Sequence, residues 1–377
     1  MLDKTLLFPY YAYLKLRNFL YDKNVCKSRP TQVPSICVGN VTVGGTGKTP
    51  HVEMILRMLL ESDEWGGGNI AVLSRGYKRN SKGFQQVTRE GSAAIFGDEP
   101  LQIKKRFPGV TVAVHKNRNE GADLLVHPEK TATCRAARKC LNKNFPPADI
   151  IVLDDAFQHR KIRANLNIVL VDYKRNVLND SLLPIGGLRD LPERIYKADV
   201  IIVTKCPSDL DNWERTNFVY SLGFSEYHTS SCEGTNIKGG RQTVLFSTIS
   251  YEEGQKLYST SDKRYFYSKK MVLFSGIAKS SPLVSYLSDY YTIVREYVFP
   301  DHHIYKRGDI RKLQSAVKAH PTAAVVTTEK DAQRILDYIG MPQNLMERMF
   351  YIPISVDFLS DVERKVFRAI LAGLKQS

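Results

Sequence analysis

A chain of 377 residues is longer than one ordinary compact domain, and two domains with separate cores are expected. Hydrophobic residues at 43% and charged residues at 25% exclude extensive disorder. The 54 Lys+Arg against 39 Asp+Glu leave a net charge of +15, which favours an anionic partner. No basic, aromatic-interleaved signature accompanies that charge, so nucleic acid gives way to a phosphorylated or lipidic ligand.

The chain opens with "LLFPYYAYLKLRNFLY" (residues 6–21), where aromatics and leucines alternate with Lys15 and Arg17. Such a segment can lie in a bilayer interface, or it can be a first helix packed on the protein's own core. No apolar run reaches the roughly 18 residues of a membrane span, and the layout is not that of a signal peptide. A chain neither spanning a membrane nor exported is expected. Six cysteines without CxxC spacing fit a reduced compartment better than a disulfide framework or a zinc site.

Six apolar runs follow, at residues 35–40, 70–76, 110–115, 149–155, 167–173 and 199–205, with helical patterns between them. Runs apolar at every position suit parallel strands buried on both faces, so this part is an α/β doubly wound domain with ligands at the carboxyl ends of its strands. The first run ends in "GNVTVGGTGKTP" (residues 39–50), a strand-to-helix turn rich in glycine. Gly44, Gly45, Thr46 and Gly47 can turn backbone N–H groups onto phosphates, Lys48 can reach the terminal ones, and the Thr49 hydroxyl can ligate Mg²⁺. Thr42 stands where the usual spacing has its first glycine.

"GDEPLQIKKRF" places Asp98 and Glu99 before a helix. Asp98 is either a general base near the γ-phosphate or only a cap of that helix. "IIVLDDAFQHR" ends a buried strand on Asp154 and Asp155. One terminal aspartate suits a helix cap, but two adjacent acids repel unless a cation sits there, so both are metal candidates. "LPIGGLRDLPERI" carries Arg189 and Arg194 on a loop, where an arginine can neutralise charge on a transferred phosphoryl group or make a surface ion pair. "VTKCP" lacks the aspartate that reads guanine, having Pro207 in its place, which favours ATP over GTP.

From Pro207 to about Lys270 the pattern weakens into a polar connection with a small antiparallel ribbon, and a second α/β set follows. Boundaries follow: 1–24 an interfacial helix, 25–206 a P-loop domain, 207–270 a linker, and 271–377 a smaller α/β domain. In the last, "FPDHHIY" sets His302 and His303 beside Asp301, a pattern suited to proton transfer or to orienting another acid.

Taken together, "VGNVTVGGTGKTP", "LSRGYKR", "GDEP", "DDAFQHR", "LPIGGLRD", "SGIAKSSPL", "FPDHHIY" and "VTTEKDAQR" resemble the tetraacyldisaccharide 4′-kinase family, the lipid A 4′-kinases. That family's loop also lacks the first glycine. The resemblance implies transfer of the ATP γ-phosphoryl group to the 4′-hydroxyl of an acylated disaccharide 1-phosphate, forming lipid IVA. It further implies Mg²⁺, a P-loop NTPase-like doubly wound domain and a smaller α/β domain joined by a two-stranded linker, and an amino-terminal helix on the anionic cytoplasmic face of the inner membrane. Lys48 and Thr49 would hold phosphates and Mg²⁺, and Asp154 and Asp155 would belong to the metal site. Asp98 would be the general base assisted by His302, Arg189 would stabilise the transferred group, and Tyr77 would stand nearby. Ala156 and Asp190 depart from the family's usual glycine and glutamate. A membrane-associated P-loop ATPase or metallochaperone-type switch would use Lys48, Thr49 and Asp155 as well, but gives no reason for Asp98 or His302.

Overall fold

The computed structural model describes residues 2–277 and 279–375, with side chains from residue 7 onward. Met1, Ala278 within the "SGIAKSSPL" motif, Gln376, Ser377 and the side chain of Leu6 in the expected interfacial helix lie outside the described residues.

Each of the six expected strands forms. They are β1 (Ser35–Gly39), β2 (Ile70–Ser74), β3 (Thr111–Val114), β4 (Ile150–Asp154), β5 (Leu166–Asp172) and β6 (Val200–Thr204). A further strand, β7 (Arg241–Tyr251), extends them, and all seven run parallel in the spatial order β7-β6-β5-β1-β4-β2-β3. The all-apolar runs are explained by what covers the sheet: one apolar cluster packs on each face. Helix α2 (Lys48–Leu60) leaves the end of β1 and buries Val52, Ile55, Leu56 and Leu59 completely. Helix α3 (Asp98–Arg106) lies on the same side, burying Leu101 and Ile103.

Helix α1 (Leu2–Asp22) packs on the protein's own core along one side and leaves the other side open. Leu7, Tyr11, Leu14 and Asn18 follow helical spacing and face the main sheet, Leu14 and Asn18 being buried. Phe8, Tyr13, Leu16 and Phe19, on the opposite side, are each more than half exposed.

A second, smaller sheet contains β8 (Lys270–Ser275), β9 (Thr292–Val298), β10 (Ala324–Thr328) and β11 (Met349–Ile352), all parallel, with Gln255–Lys256 antiparallel on its edge. The segment assigned to a linker behaves differently from expectation. Its ribbon exists as the hairpin Phe224–His228/Glu233–Asn236, but the hairpin and β7 belong to the main sheet. Val244, Leu245 and Phe246 are fully buried there, so this run is core and not connection. The chain crosses to the small sheet after β7 and returns in β12 (Ile354–Phe358), which pairs antiparallel with the far end of β7. These two strands join the sheets. The last helix, α5 (Asp361–Gly373), then packs Phe367 and Leu371 on the main sheet's core, because its apolar stripe needs a face that the small sheet does not offer. The 271–377 boundary therefore separates at about residue 353, not at the carboxyl terminus.

Candidate active site

Carboxyl ends of β1 and β4 lie side by side, Val38 paired with Asp154, and the glycine-rich turn leaves between β4 and β5. Gly44 and Gly47 have φ of 96° and 85°, a region that side chains disfavour. Gly45 is different: a Cβ built there, or on Gly44, meets nothing within 4 Å. The turn is thus open on its outer side, where backbone must approach a ligand. Thr42 is not a defect. It is buried and bridged by backbone to Leu188, while Val43 N–H donates to the Gly187 carbonyl at 2.7 Å. A residue in extended conformation here ties the turn to the "GGLRD" loop. His51 fixes the other side, bridging the Gly47 carbonyl at 2.7 Å and Ser247 Oγ on β7 at 2.9 Å.

That tie places Arg189. Its Nη1 donates to Asp155 Oδ2 at 3.0 Å, its Nη2 to Asp155 Oδ1, and Nη2 also reaches Asn40 Oδ1 at 2.5 Å. Lys48 Nζ lies 3.8 Å from Asp155 Oδ1 and 3.4 Å from Asn40 Oδ1. Asn40 completes the arrangement by donating to Thr46 Oγ1 at 2.7 Å. Two cations thus meet at Asp155. Burial would raise its pKa, but Arg189 and Lys48 outweigh that and hold the carboxyl below its ordinary value.

Asp154 is in the opposite situation, so the two acids divide by environment. Its side chain is buried and takes a 2.9 Å hydrogen bond from Ser74 Oγ. Burial, Glu99 and Asp155 push it up to about 6. The cation expected for two adjacent acids is supplied to Asp155 by the protein, while Asp154 makes no ion pair within 4 Å among the described residues. Among the described residues, no group of three or more His, Cys, Asp or Glu side chains could hold a metal by itself. A metal here would need the Thr49 hydroxyl, water or phosphate oxygens as further ligands.

Asp98 does not cap α3; Gly97 stands at that position without a side-chain bond. The Asp98 carboxylate turns instead to the small sheet. His302 Nδ1 lies 3.2 Å from Oδ2, Arg334 donates from Nε at 2.9 Å and from Nη2, and Lys330 Nζ lies 3.9 Å away. Oδ1 accepts only the Glu99 N–H, at 3.1 Å, among the described residues. Burial alone would raise the Asp98 pKa, but the His302 hydrogen bond and the Lys330 and Arg334 charges hold it well below the ordinary carboxylate range. Of the two neighbouring histidines, His302 faces the site with φ 62°, and the Tyr77 ring packs edge-on at 5.6 Å. His303 stacks on Phe299 and bonds Asp309 at 2.9 Å.

Residue type and spacing do not single out Arg334, Lys330 and Asn40 as site residues. Lys330 and Arg334 are four apart on helix α4 (Glu329–Ile335), and that i,i+4 pair of cations was the available signal. Asp331, fully buried, explains how three distant motifs converge. It accepts from Gly276 N–H at 2.9 Å, Thr328 Oγ1 at 2.7 Å, Tyr305 Oη at 3.0 Å and Arg334 Nη1 at 2.9 Å. Arg194, the second arginine of its loop, does not join the site; it lies over the Phe157 ring. Asp190 accepts a 3.0 Å bond from Asn18 Nδ2, fixing α1 to the loop that carries Arg189.

A nucleotide-type loop, a strand-end acid pair and a buried carboxylate held between two α/β sheets define a P-loop phosphotransferase. The family model for tetraacyldisaccharide-1-P 4′-kinases matches residues 4–374, and the chain belongs to that family. A tetraacyldisaccharide 4′-kinase of Parabacteroides distasonis is 37% identical over 366 residues, 95% of this chain and 90% of that one. Its counterpart from Porphyromonas gingivalis is 36% identical over 368 residues, 96% and 94% of the two chains. The fold is also that of LpxK from Aquifex aeolicus, crystallised in complex with ATP, with a TM-score of 0.67, 24% identity and 99% of each chain covered.

Proposed function

We infer that this chain transfers the γ-phosphoryl group of ATP to the 4′-hydroxyl of tetraacyldisaccharide 1-phosphate, the lipid A precursor, forming lipid IVA. One observation carries the reading beyond a generic ATPase: His302, from the loop after β9, is seated on Asp98 at the start of α3, next to Glu99, whose charge acts on Asp154. A conformational switch that only hydrolyses ATP has no use for such a pair.

In this reading the backbone of Gly44–Thr49 cradles the phosphates and Lys48 pairs with their terminal charge. Mg²⁺ fits the residues present, because Asp154, a buried carboxyl without an ion pair within 4 Å among the described residues, ends the strand paired with the one that leads into the open turn. Asp154 and the Thr49 hydroxyl would hold it, and bound there it would neutralise charge on the β- and γ-phosphates. Arg189 is preorganised by Asp155 and Asn40, so its planar guanidinium meets the transferred group without reorganising.

Asp98 then orients the acceptor hydroxyl through Oδ1, the oxygen with lone-pair capacity left. Phosphoryl transfer passes through a loose transition state in which bonding to the nucleophile develops late. The hydroxyl becomes acidic only as that bond forms, so a carboxylate of low pKa suffices, with His302 holding it in place. The exposed aromatic face of α1 lies on the anionic inner-membrane surface at its cytoplasmic side, where acyl chains of the acceptor remain in the bilayer. The test is incubation of the full chain with Mg-ATP and the tetraacylated disaccharide 1-phosphate. A bisphosphorylated lipid and equimolar ADP support the reading; ADP formation indifferent to the lipid would sink it.

A further inference from the structure

A basic cavity lies apart from the phosphate loop, on the face of the main sheet opposite α2. It measures about 220 Å³ and sits between the end of α1, the segment 156–164 and the turn 192–197. Small-molecule pockets start at roughly 300 Å³, so this one has room for a headgroup and not for a nucleotide. Arg160, Arg163, Arg194 and Lys197 line it against a single carboxylate, Asp22.

Asp22 does not balance them. It accepts from Arg160 Nη2 at 2.8 Å, while Arg194 Nη1 and Lys197 Nζ are each 3.9 Å away, beyond hydrogen-bond reach. Arg194 is the informative residue. It is 6% exposed, lies over the Phe157 ring, and its Nε and Nη1 have no acceptor among the described residues. A buried guanidinium with two unused donors is costly unless an anion completes it. Burial and the neighbouring Arg160 push it down to about 10.

The position also matters. Asp22 closes α1 three residues after the exposed Phe19, so the cavity sits at the end of the helix's aromatic face. Arg160 follows Asp155 by five residues, and Arg194 follows Arg189 by the same interval. The two segments that build the phosphoryl site therefore each end on an arginine of this cavity.

We propose that the cavity bounded by Asp22, Arg160, Arg194 and Lys197 is a second anion site that takes a phosphate ester delivered at the α1 face. Two sources share that chemistry: the 1-phosphate of the acceptor and the headgroup of an anionic phospholipid. The acceptor arm rests on the kinase reading above, and the phospholipid arm does not.

Both arms use the full chain, as wild type, Arg194→Gln and Lys197→Gln. The first measures kcat and KM for the acceptor, with and without its 1-phosphate. The second measures sedimentation with phosphatidylcholine vesicles, with and without phosphatidylglycerol, in the absence of ATP and acceptor. If the acceptor phosphate occupies the cavity, the variants raise its KM by about tenfold with kcat retained, and the acceptor lacking the phosphate is turned over with the same KM by all three proteins. If a phospholipid occupies it, KM is unchanged and the preference for anionic vesicles falls by about the same factor. Variants matching wild type in both arms overturn the proposal. Lys197 is the more exposed residue and carries the test alone if Arg194→Gln does not fold. A wild type that leaves the acceptor untouched sinks the kinase reading, and the vesicle arm still decides the cavity.

Discussion

Replacing Arg334 by Met tests how Asp98 is held. Arg334 donates to the Asp98 carboxylate from Nε and Nη2, and both side chains are 8% exposed. A hydrogen bond involving a charged group is worth about 1.5–3 kcal/mol, and one pKa unit corresponds to about 1.36 kcal/mol. Losing the fork should therefore raise the Asp98 pKa by roughly one to two units, and burial then acts against the charged form with less opposition. His302 and Lys330 remain, which limits the rise. The sign follows: wild-type Asp98 stays ionised far into acid, whereas the variant's carboxyl takes up its proton at higher pH. The assay is kcat/KM for the acceptor across roughly pH 2.5 to 5, because a carboxyl held this far below the ordinary range still titrates in acid after a rise of that size. The variant should lose activity on the acid side at a pH where wild type retains it, and Arg334→Lys should lie between. Profiles of identical shape, differing only in height, would refute the reasoning.

Asp98→Asn should lower kcat by about 10²–10⁴ with ATP affinity little changed, measured by single-turnover transfer; weakened ATP binding with transfer intact would return Asp98 to a structural role. Glu53 is buried beside Arg106 and close to Glu329, and burial with the Glu329 charge pushes it up to about 8. A carboxyl raised in the folded state keeps its stability below the unfolded value of 4.5 and loses it as pH rises towards 8. Glu53→Gln should accordingly flatten the fall of stability between about pH 4.5 and 8; an unchanged slope over that window contradicts the assignment. Changing Phe8, Tyr13, Leu16 and Phe19 together to Ser should release the chain from vesicles while sparing its melting temperature, since none of the four is buried. Retained binding would return α1 to a purely internal helix.

The phosphate loop and six strands were legible because their signals are local: apolar runs covered on both faces, and glycines whose φ the turn requires. The same locality failed at β7, whose buried core of Val244–Phe246 is surrounded by polar residues that read as connection. It failed again at α5, since an amphipathic stripe states that a face must be covered but not by which sheet. Within the site, Lys48, Asp98 and Arg189 could be picked by residue type. The different environments of Asp154 and Asp155 could not, because Arg189 reaches one of them from 34 residues away. His302 and His303 are adjacent in sequence, and only the fold turns one to Asp98 and the other to Asp309. Arg334 was hidden for the same reason, its partner lying 236 residues upstream.

The most direct measurement follows the γ-phosphoryl group itself. With γ-labelled ATP, Mg²⁺ and the full chain, label should pass to tetraacyldisaccharide 1-phosphate and not to its 4′-deoxy analogue. Label transferred equally to both, or recovered only as inorganic phosphate, would contradict the account.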